Sequence, residues 1–291
     1  MNTENQIILP DGRKLAYAEF GKLDGSPVLY FHGGLSSRLE PLLIGDEVFG
    51  RFGLRVIAPD RPGMGQSDFQ PDRGFSDWPN DVVFLADALG LRQFAVLGFS
   101  AGGGYVAACA AKIPDRLRAA VIVSGAWRMD WPEARNNLSS FNRLVFDLAR
   151  KAPLLLRLLL KVMGASYKGS RERFLRQLKK HVSASDCAVL EQPDWLDAFL
   201  QMSVESVSQG TKGPAWDIGL YVREWDFRLN EIRIPLKLFH GDQDRNVPVA
   251  LVRRVISVLP NAQLVVYGNE GHLSTFNNHS GQILEALVES P

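Results

Sequence analysis

Residues 94–104 read Phe94-Ala95-Val96-Leu97-Gly98-Phe99-Ser100-Ala101-Gly102-Gly103-Gly104. Four residues of strand character run into a glycine-flanked serine, and a small-residue helix from Gly103 to Ala111 leaves the turn. Gly-x-Ser-x-Gly between a strand and a helix is the pattern of a nucleophile elbow, a tight turn that projects the serine hydroxyl outward. A side chain at 98 or 102 would collide with the neighbouring strand or helix, which is the physical reason for the glycines. The string is short and glycine is common, so its meaning depends on what else the chain supplies, and in what order.

The chain has 291 residues, 46% hydrophobic and 22% charged, with a formal net charge of +1. This is the composition of an ordinary globular protein large enough for a sizeable core, with no global charge for nucleic acid. Cys109 and Cys187 lie far apart without metal-ligand spacing and read as free thiols, and no metal site is expected. The N-terminal residues lack a basic segment leading into an apolar one, so a cytoplasmic location is expected. The most apolar run, residues 152–163, is short and carries Arg157 and Lys161, too little to span a bilayer.

Outward from the elbow, strands are expected at 6–9 and 15–20 around a Pro10-Asp11-Gly12 turn, then at 27–31, 54–58 and 117–123. Helices are expected over 38–52 and 76–89, the latter capped by Ser76 and closed by Gly90. From 126 to 228 the pattern is helical with few strand candidates. Alternation then resumes with a strand at 235–240, a helix at 249–259, a strand at 262–267 and a closing helix at 275–288. Repeated alternation predicts a mostly parallel sheet covered on both faces. The simplest organisation is an α/β core, 1–125 and 229–291, interrupted by a helical cap, 126–228.

Beyond the strand ending at His240 stands Gly241-Asp242-Gln243-Asp244-Arg245-Asn246-Val247-Pro248, and beyond the next stands Asn269-Glu270-Gly271-His272. Ser100, Asp244 and His272 thus each follow the carboxyl end of a strand, the edge of a parallel sheet where sites form. With His32-Gly33-Gly34 and Asp60-x-x-Gly63-x-Gly65-x-Ser67, the pattern resembles the α/β-hydrolase superfamily, whose order is nucleophile, acid, histidine. The resemblance covers the core almost end to end; the insert matches only in kind. It implies Ser100 as nucleophile, His272 as base and Asp244 as the acid that orients it. It also implies an oxyanion hole from the backbone N–H groups of Gly34 and Ala101.

Each role has a rival. Asp242 competes with Asp244, where the family pattern favours the second aspartate and leaves Asp242 to stabilise the turn. His279 competes with His272 but lies within the last expected helix. His32 and His240 end strands and are read as loop-orienting, and Asp60 as the anchor of its glycine turn. Two nucleotide readings fail by inspection. Ser100 occupies the place of the second glycine in Gly-x-Gly-x-x-Gly, and Gly104-Tyr105 stands where a phosphate loop needs Lys and Ser/Thr.

Five of the six tryptophans fall in the insert (Trp127, Trp131, Trp195, Trp216 and Trp225), as the insert's own core or as walls of an acyl pocket. Between Arg143 and Lys180 stand eleven Lys/Arg against two acids, a local +9. The runs Leu154-Leu155-Leu156 and Leu158-Leu159-Leu160 accompany them. The ordinary reading is a solvated basic face over leucines that pack inward, with no stable membrane insertion; the other is contact with anionic surfaces. The expected activity is hydrolysis of a small-molecule carboxylic ester or related acyl bond through an acyl-enzyme on Ser100, without cofactor. Lactone, thioester and carbon–carbon bond hydrolysis, and a non-catalytic receptor on the same fold, stand as alternatives.

Overall fold

A computed structural model of the chain describes residues 1–135 and 138–288. Eight strands form one sheet: β1 (Asn2–Ile8), β2 (Lys14–Gly21), β3 (Ser26–Phe31), β4 (Leu54–Pro59), β5 (Phe94–Phe99), β6 (Leu117–Val123), β7 (Leu236–Gly241) and β8 (Ala262–Tyr267). Their order is β1-β2-β4-β3-β5-β6-β7-β8, with β1 and β2 antiparallel at one edge and parallel pairing from β4 to β8.

The core helices are α1 (Asp46–Arg51), α2 (Trp78–Ala88) and α3 (Gly102–Lys112) before the insert, and α11 (Val249–Ile256) and α12 (Ser274–Val288) after it. Between β6 and β7 lie α4 (Pro132–Arg135), α5 (Ser140–Lys151), α6 (Pro153–Tyr167), α7 (Arg171–Leu178), α8 (Ala184–Leu190), α9 (Pro193–Ser206) and α10 (Lys212–Leu220).

Strand β5 is buried along its whole length, as a central parallel strand must be when both faces of the sheet are covered. Its period-two alternation divides it between two cores. Phe94 and Val96 join Trp78 and Val82 of α2, Val106 of α3 and Leu251 of α11. Ala95, Leu97 and Phe99 join Phe49 of α1 and Ile283 and Leu284 of α12. The insert leans on both layers: Trp127 and Trp225 enter the first, Val189, Trp195 and Leu196 the second. A third, small cluster of Val145, Leu156, Leu160 and Ala215 joins α5, α6 and α10.

Several local expectations change. The helix expected over 38–52 is broken into a 3-10 turn, Glu40–Leu43, and α1, because Gly45 adopts φ 96° between them. Ser76 does not cap α2; its hydroxyl faces the Asp226 carbonyl and the N-cap position belongs to Asp77. Gly90, at φ 70°, does close that helix. Helix α11 stops at Ile256, short of the expected end at 259.

Candidate active site

Ser100 sits where β5 ends and α3 begins, at φ 52°, a left-handed conformation that costs a non-glycine residue of order 1–3 kcal/mol. Its backbone is held there: its N–H donates to the Val123 carbonyl at 2.9 Å, and its carbonyl accepts the Ala126 N–H at 2.8 Å. The glycines on either side are enforced by proximity. A Cβ on Gly98 would stand 2.6 Å from the Gly102 carbonyl oxygen, and one on Gly102 would stand 1.9 Å from that of Phe31.

The loops after β7 and β8 converge on this turn. His272 Nε2 lies 2.9 Å from Ser100 Oγ, and its Nδ1 lies 2.7 Å from Asp244 Oδ2. With a carboxylate on Nδ1, the ring carries its proton there and Nε2 accepts the serine hydroxyl. Asp244 Oδ1 accepts the N–H groups of Asn246 and Val247 at 2.8 Å each, so the carboxylate is aimed by its own loop. Burial opposes a charged imidazole at 272, but Asp244 outweighs it and the pKa of His272 rises above its ordinary value. Burial likewise disfavours the Asp244 carboxylate, and the His272 imidazole outweighs it, lowering that pKa.

The histidine loop also hangs on a residue of the insert. Asp186, buried in α8, accepts the N–H groups of His272 at 3.0 Å, Leu273 at 2.8 Å and Ser274 at 2.9 Å. These are the otherwise orphaned donors ahead of α12, so one carboxylate both seats the histidine and caps the helix. From the sheet side, Ser124 Oγ donates to the His272 carbonyl at 3.0 Å.

On the other flank, the His32–Gly34 turn follows β3. Arg61 donates to the His32 carbonyl and, at 2.9 Å, to that of Gly33, while Glu40 accepts the Gly33 N–H at 2.8 Å. The Gly33 donor is thereby spent. Gly34 approaches the elbow: a Cβ built on it would be 3.7 Å from that of Ala101. Glu40 is fully buried, also accepts the Tyr30 hydroxyl at 2.9 Å, and has its pKa raised by burial to about 7.

The rival residues take other work. Asp242 accepts the Asn269 N–H at 2.8 Å and ties two loops together. His279 stacks on Tyr267 at 3.6 Å and lies 3.2 Å from Glu270, in a kink of α12. His32 Nε2 accepts the Arg61 N–H at 3.2 Å, and His240 Nε2 donates to the Val247 carbonyl at 2.8 Å. Asp60 accepts the N–H groups of Arg38 at 2.6 Å and Gln66 at 2.9 Å, holding the glycine turn.

Ser100, His272, Gly34 and Ala101 line a cavity of about 560 Å³ whose far wall is built from the insert. Phe141, Val145, Met163, Phe174, Phe199 and Ile218 supply much of that wall. No lysine, arginine or tryptophan lines it among the described residues. The tryptophans of the insert therefore do not wall the cavity; Trp127 and Trp225 stack on each other in the core at 6.0 Å.

Asp186, Glu40 and Arg61 carried no signal as site residues in the sequence. Arg61 lies inside the glycine-turn motif, Glu40 inside a stretch read as helix, and Asp186 in an insert without motifs.

A family model for the alpha/beta hydrolase fold matches residues 26–278. The chain is 30% identical over 300 residues to a non-heme chloroperoxidase of Streptomyces lividans, covering 98% of this chain and 99% of that one. It is 27% identical over 263 residues to a 2-hydroxymuconate semialdehyde hydrolase of Pseudomonas putida, covering 86% and 81%. Among solved structures it is similar to an esterase from Exiguobacterium antarcticum, with a TM-score of 0.70 at 20% identity and coverage of 99% and 98%. On the doubly covered sheet, the serine turn after β5 and a family match across most of its length, the chain belongs to the α/β hydrolase fold family.

Proposed function

We propose that this chain is a serine hydrolase that cleaves carboxylic esters through an acyl-enzyme on Ser100. The observation that carries the reading is the continuous hydrogen-bonded series Ser100–His272–Asp244 at the floor of an apolar cavity. In the first step the Ser100 oxygen attacks the acyl carbon while His272 Nε2 takes the hydroxyl proton, since an unassisted hydroxyl is a poor nucleophile. The N–H groups of Gly34 and Ala101 receive the developing oxyanion. Collapse expels the alcohol, which takes the proton from His272. Water, deprotonated by His272, then attacks the acyl-enzyme and releases the acid and free Ser100. The inserted helices serve as a cap that excludes bulk water and selects the acyl group.

The lining favours a neutral, apolar acyl chain. A carboxylate-bearing substrate, such as the name of the Pseudomonas relative describes, would find no lysine or arginine on these walls among the described residues. The likeness to a chloroperoxidase supports a second reading of the last step, in which hydrogen peroxide replaces water and the acyl-enzyme yields a peracid.

Ser100→Ala is expected to abolish turnover of short aryl esters and labelling by a fluorophosphonate, with the circular dichroism spectrum unchanged. Undiminished hydrolysis by that variant overturns the proposal. A stoichiometric burst without steady-state turnover across an ester panel would instead assign the fold to a receptor. Peracid formation from peroxide and a carboxylic acid, lost in the same variant, would establish the second reading.

A further inference from the structure

Among the described residues, the apolar side chains on the outer face of α6 are left exposed. Its inner face, Leu156, Leu160 and Tyr167, is buried, as expected of a helix packed on its neighbours. On the opposite side, at i, i+4 and i+8, Leu154 is 75% exposed, Leu158 59% and Val162 62%, with Leu155 beside them. The expectation that these leucine runs pack inward holds for only half of them. Of the nine large apolar side chains exposed among the described residues, five fall between Leu144 and Val162. Scattered exposed leucines need no explanation, whereas a contiguous apolar strip marks a contact surface.

Charge indicates the chemistry of what covers it. The segment 148–171 contains Arg150, Lys151, Arg157, Lys161, Lys168 and Arg171 and not one acid. Five of the six are exposed; Arg171 is half-buried and paired with Asp197. Arg157, Lys161 and Lys168 follow one edge of the apolar strip at helical spacing, and Arg150 and Lys151 stand at its amino-terminal end. Long basic side chains can lay their stems along apolar material and hold their charges at a polar boundary. The surface is a convex helix of branched aliphatics and cations, without the tryptophan and tyrosine anchors that dominate protein–protein contacts. An interfacial helix combines these features, an apolar face directed at acyl chains and a basic border directed at anionic headgroups.

We propose that α6 docks the protein reversibly on an anionic lipid surface, with Leu154, Leu158 and Val162 inserted at the headgroup boundary and Arg157 and Lys161 on the phosphates. No helix among the described residues is long and apolar enough to cross a membrane, so the contact is peripheral. Met163 and Tyr167, on the inner side of the same helix, line the cavity above Ser100. Docking therefore sets the cavity wall against the bilayer, whatever reaction Ser100 performs.

The test is co-sedimentation of the whole chain with phosphatidylcholine vesicles and with vesicles enriched in phosphatidylglycerol. Binding to the second is expected and should weaken as salt is raised. Leu154→Ser combined with Leu158→Ser should weaken it at least about ten-fold by removing inserted apolar area. Arg157→Glu combined with Lys161→Glu should weaken it at least as much and flatten the salt dependence. All four positions are exposed, so the far-ultraviolet spectrum and thermal midpoint should stay at wild-type values, separating lost docking from lost folding. Absence of wild-type binding, equal binding to neutral vesicles, or full binding by either double variant overturns the proposal. So does a concentration-dependent dimer that the serine variants dissolve, which would give the strip to a second copy of the chain.

Discussion

At the scale of single residues, the proposed chemistry rests on groups whose environments oppose their charge and are overruled by a partner. His272 is buried, yet Asp244 lifts its pKa above the ordinary 6.5. The base must be neutral to accept the serine proton, so activity should fall as pH drops through a midpoint above 6.5. Asp244→Asn removes the charge that raises it. The acid limb of kcat/KM should then move to lower pH, while the plateau falls by about ten-thousand-fold because the amide no longer selects the productive tautomer. A pH-rate profile of both proteins reads both effects. Asp186 acts one step further out, through the backbone. Asp186→Ala strands three buried N–H groups, each worth about 1–3 kcal/mol, and should both destabilise the protein and lower kcat. Asp186→Asn keeps an acceptor oxygen and should recover part of each loss, as urea unfolding and kcat measured together would report.

At the scale of elements, the glycines at the elbow and at the end of α2 show how one residue type meets two different demands. Gly102 is required by close approach, since an added Cβ would meet the Phe31 carbonyl at 1.9 Å, against backbone that cannot swing away. Gly90 is required only by its φ of 70°, with open space around it. Gly102→Ala should therefore cost about 3 kcal/mol or prevent folding, as overpacking a rigid site does. Gly90→Ala should cost about 1 kcal/mol, the ordinary penalty for a left-handed conformation. Urea denaturation of the pair measures the difference. Gly103, where an added Cβ would stand 3.0 Å from Ile122 of β6, is likewise required by close approach to the sheet. Gly102 and Gly103 let the helix begin against the sheet, so that in the proposed reaction its positive end and the Ala101 N–H would face the developing negative charge.

At the scale of the whole molecule, the insert is joined to the sheet by a buried ionic cluster. Asp217 of α10 lies 2.9 Å from Arg61 and 2.9 Å from Arg73, both arginines of the core, and accepts the Tyr105 hydroxyl. Burial works against this carboxylate, but the two guanidinium groups hold its pKa down at about 2. Arg61 is also the residue that grips the His32 and Gly33 carbonyls, so insert, core and the loop carrying Gly34 share one charged joint. Asp217→Asn leaves two buried arginines without their anion. It should cost about 3–5 kcal/mol, the range for breaking a buried pair from one side. The loss should appear in the thermal midpoint and persist in the Ser100→Ala background, where no chemistry intervenes.

What the sequence by itself determined was everything carried by local spacing. Alternating strands and helices, a glycine-flanked serine, and an acid and a histidine each beyond a strand end are patterns of a few residues, and backbone sterics tie them to one conformation. Ser100, Asp244 and His272 are candidates on that order, and it is the resemblance to the α/β-hydrolase superfamily that prefers Asp244 to Asp242. Only the tertiary structure decided which distant groups complete the setting. Asp186 reaches a histidine 86 residues away, and Asp217 an arginine 156 residues away, with no motif at either end. Burial on α6 was equally illegible, because leucines occupy both faces: Leu156 and Leu160 are covered while Leu154 and Leu158 face outward. With leucines on both faces, the sequence of this helix does not say which face is covered. Which face meets the protein is then settled by what packs against it.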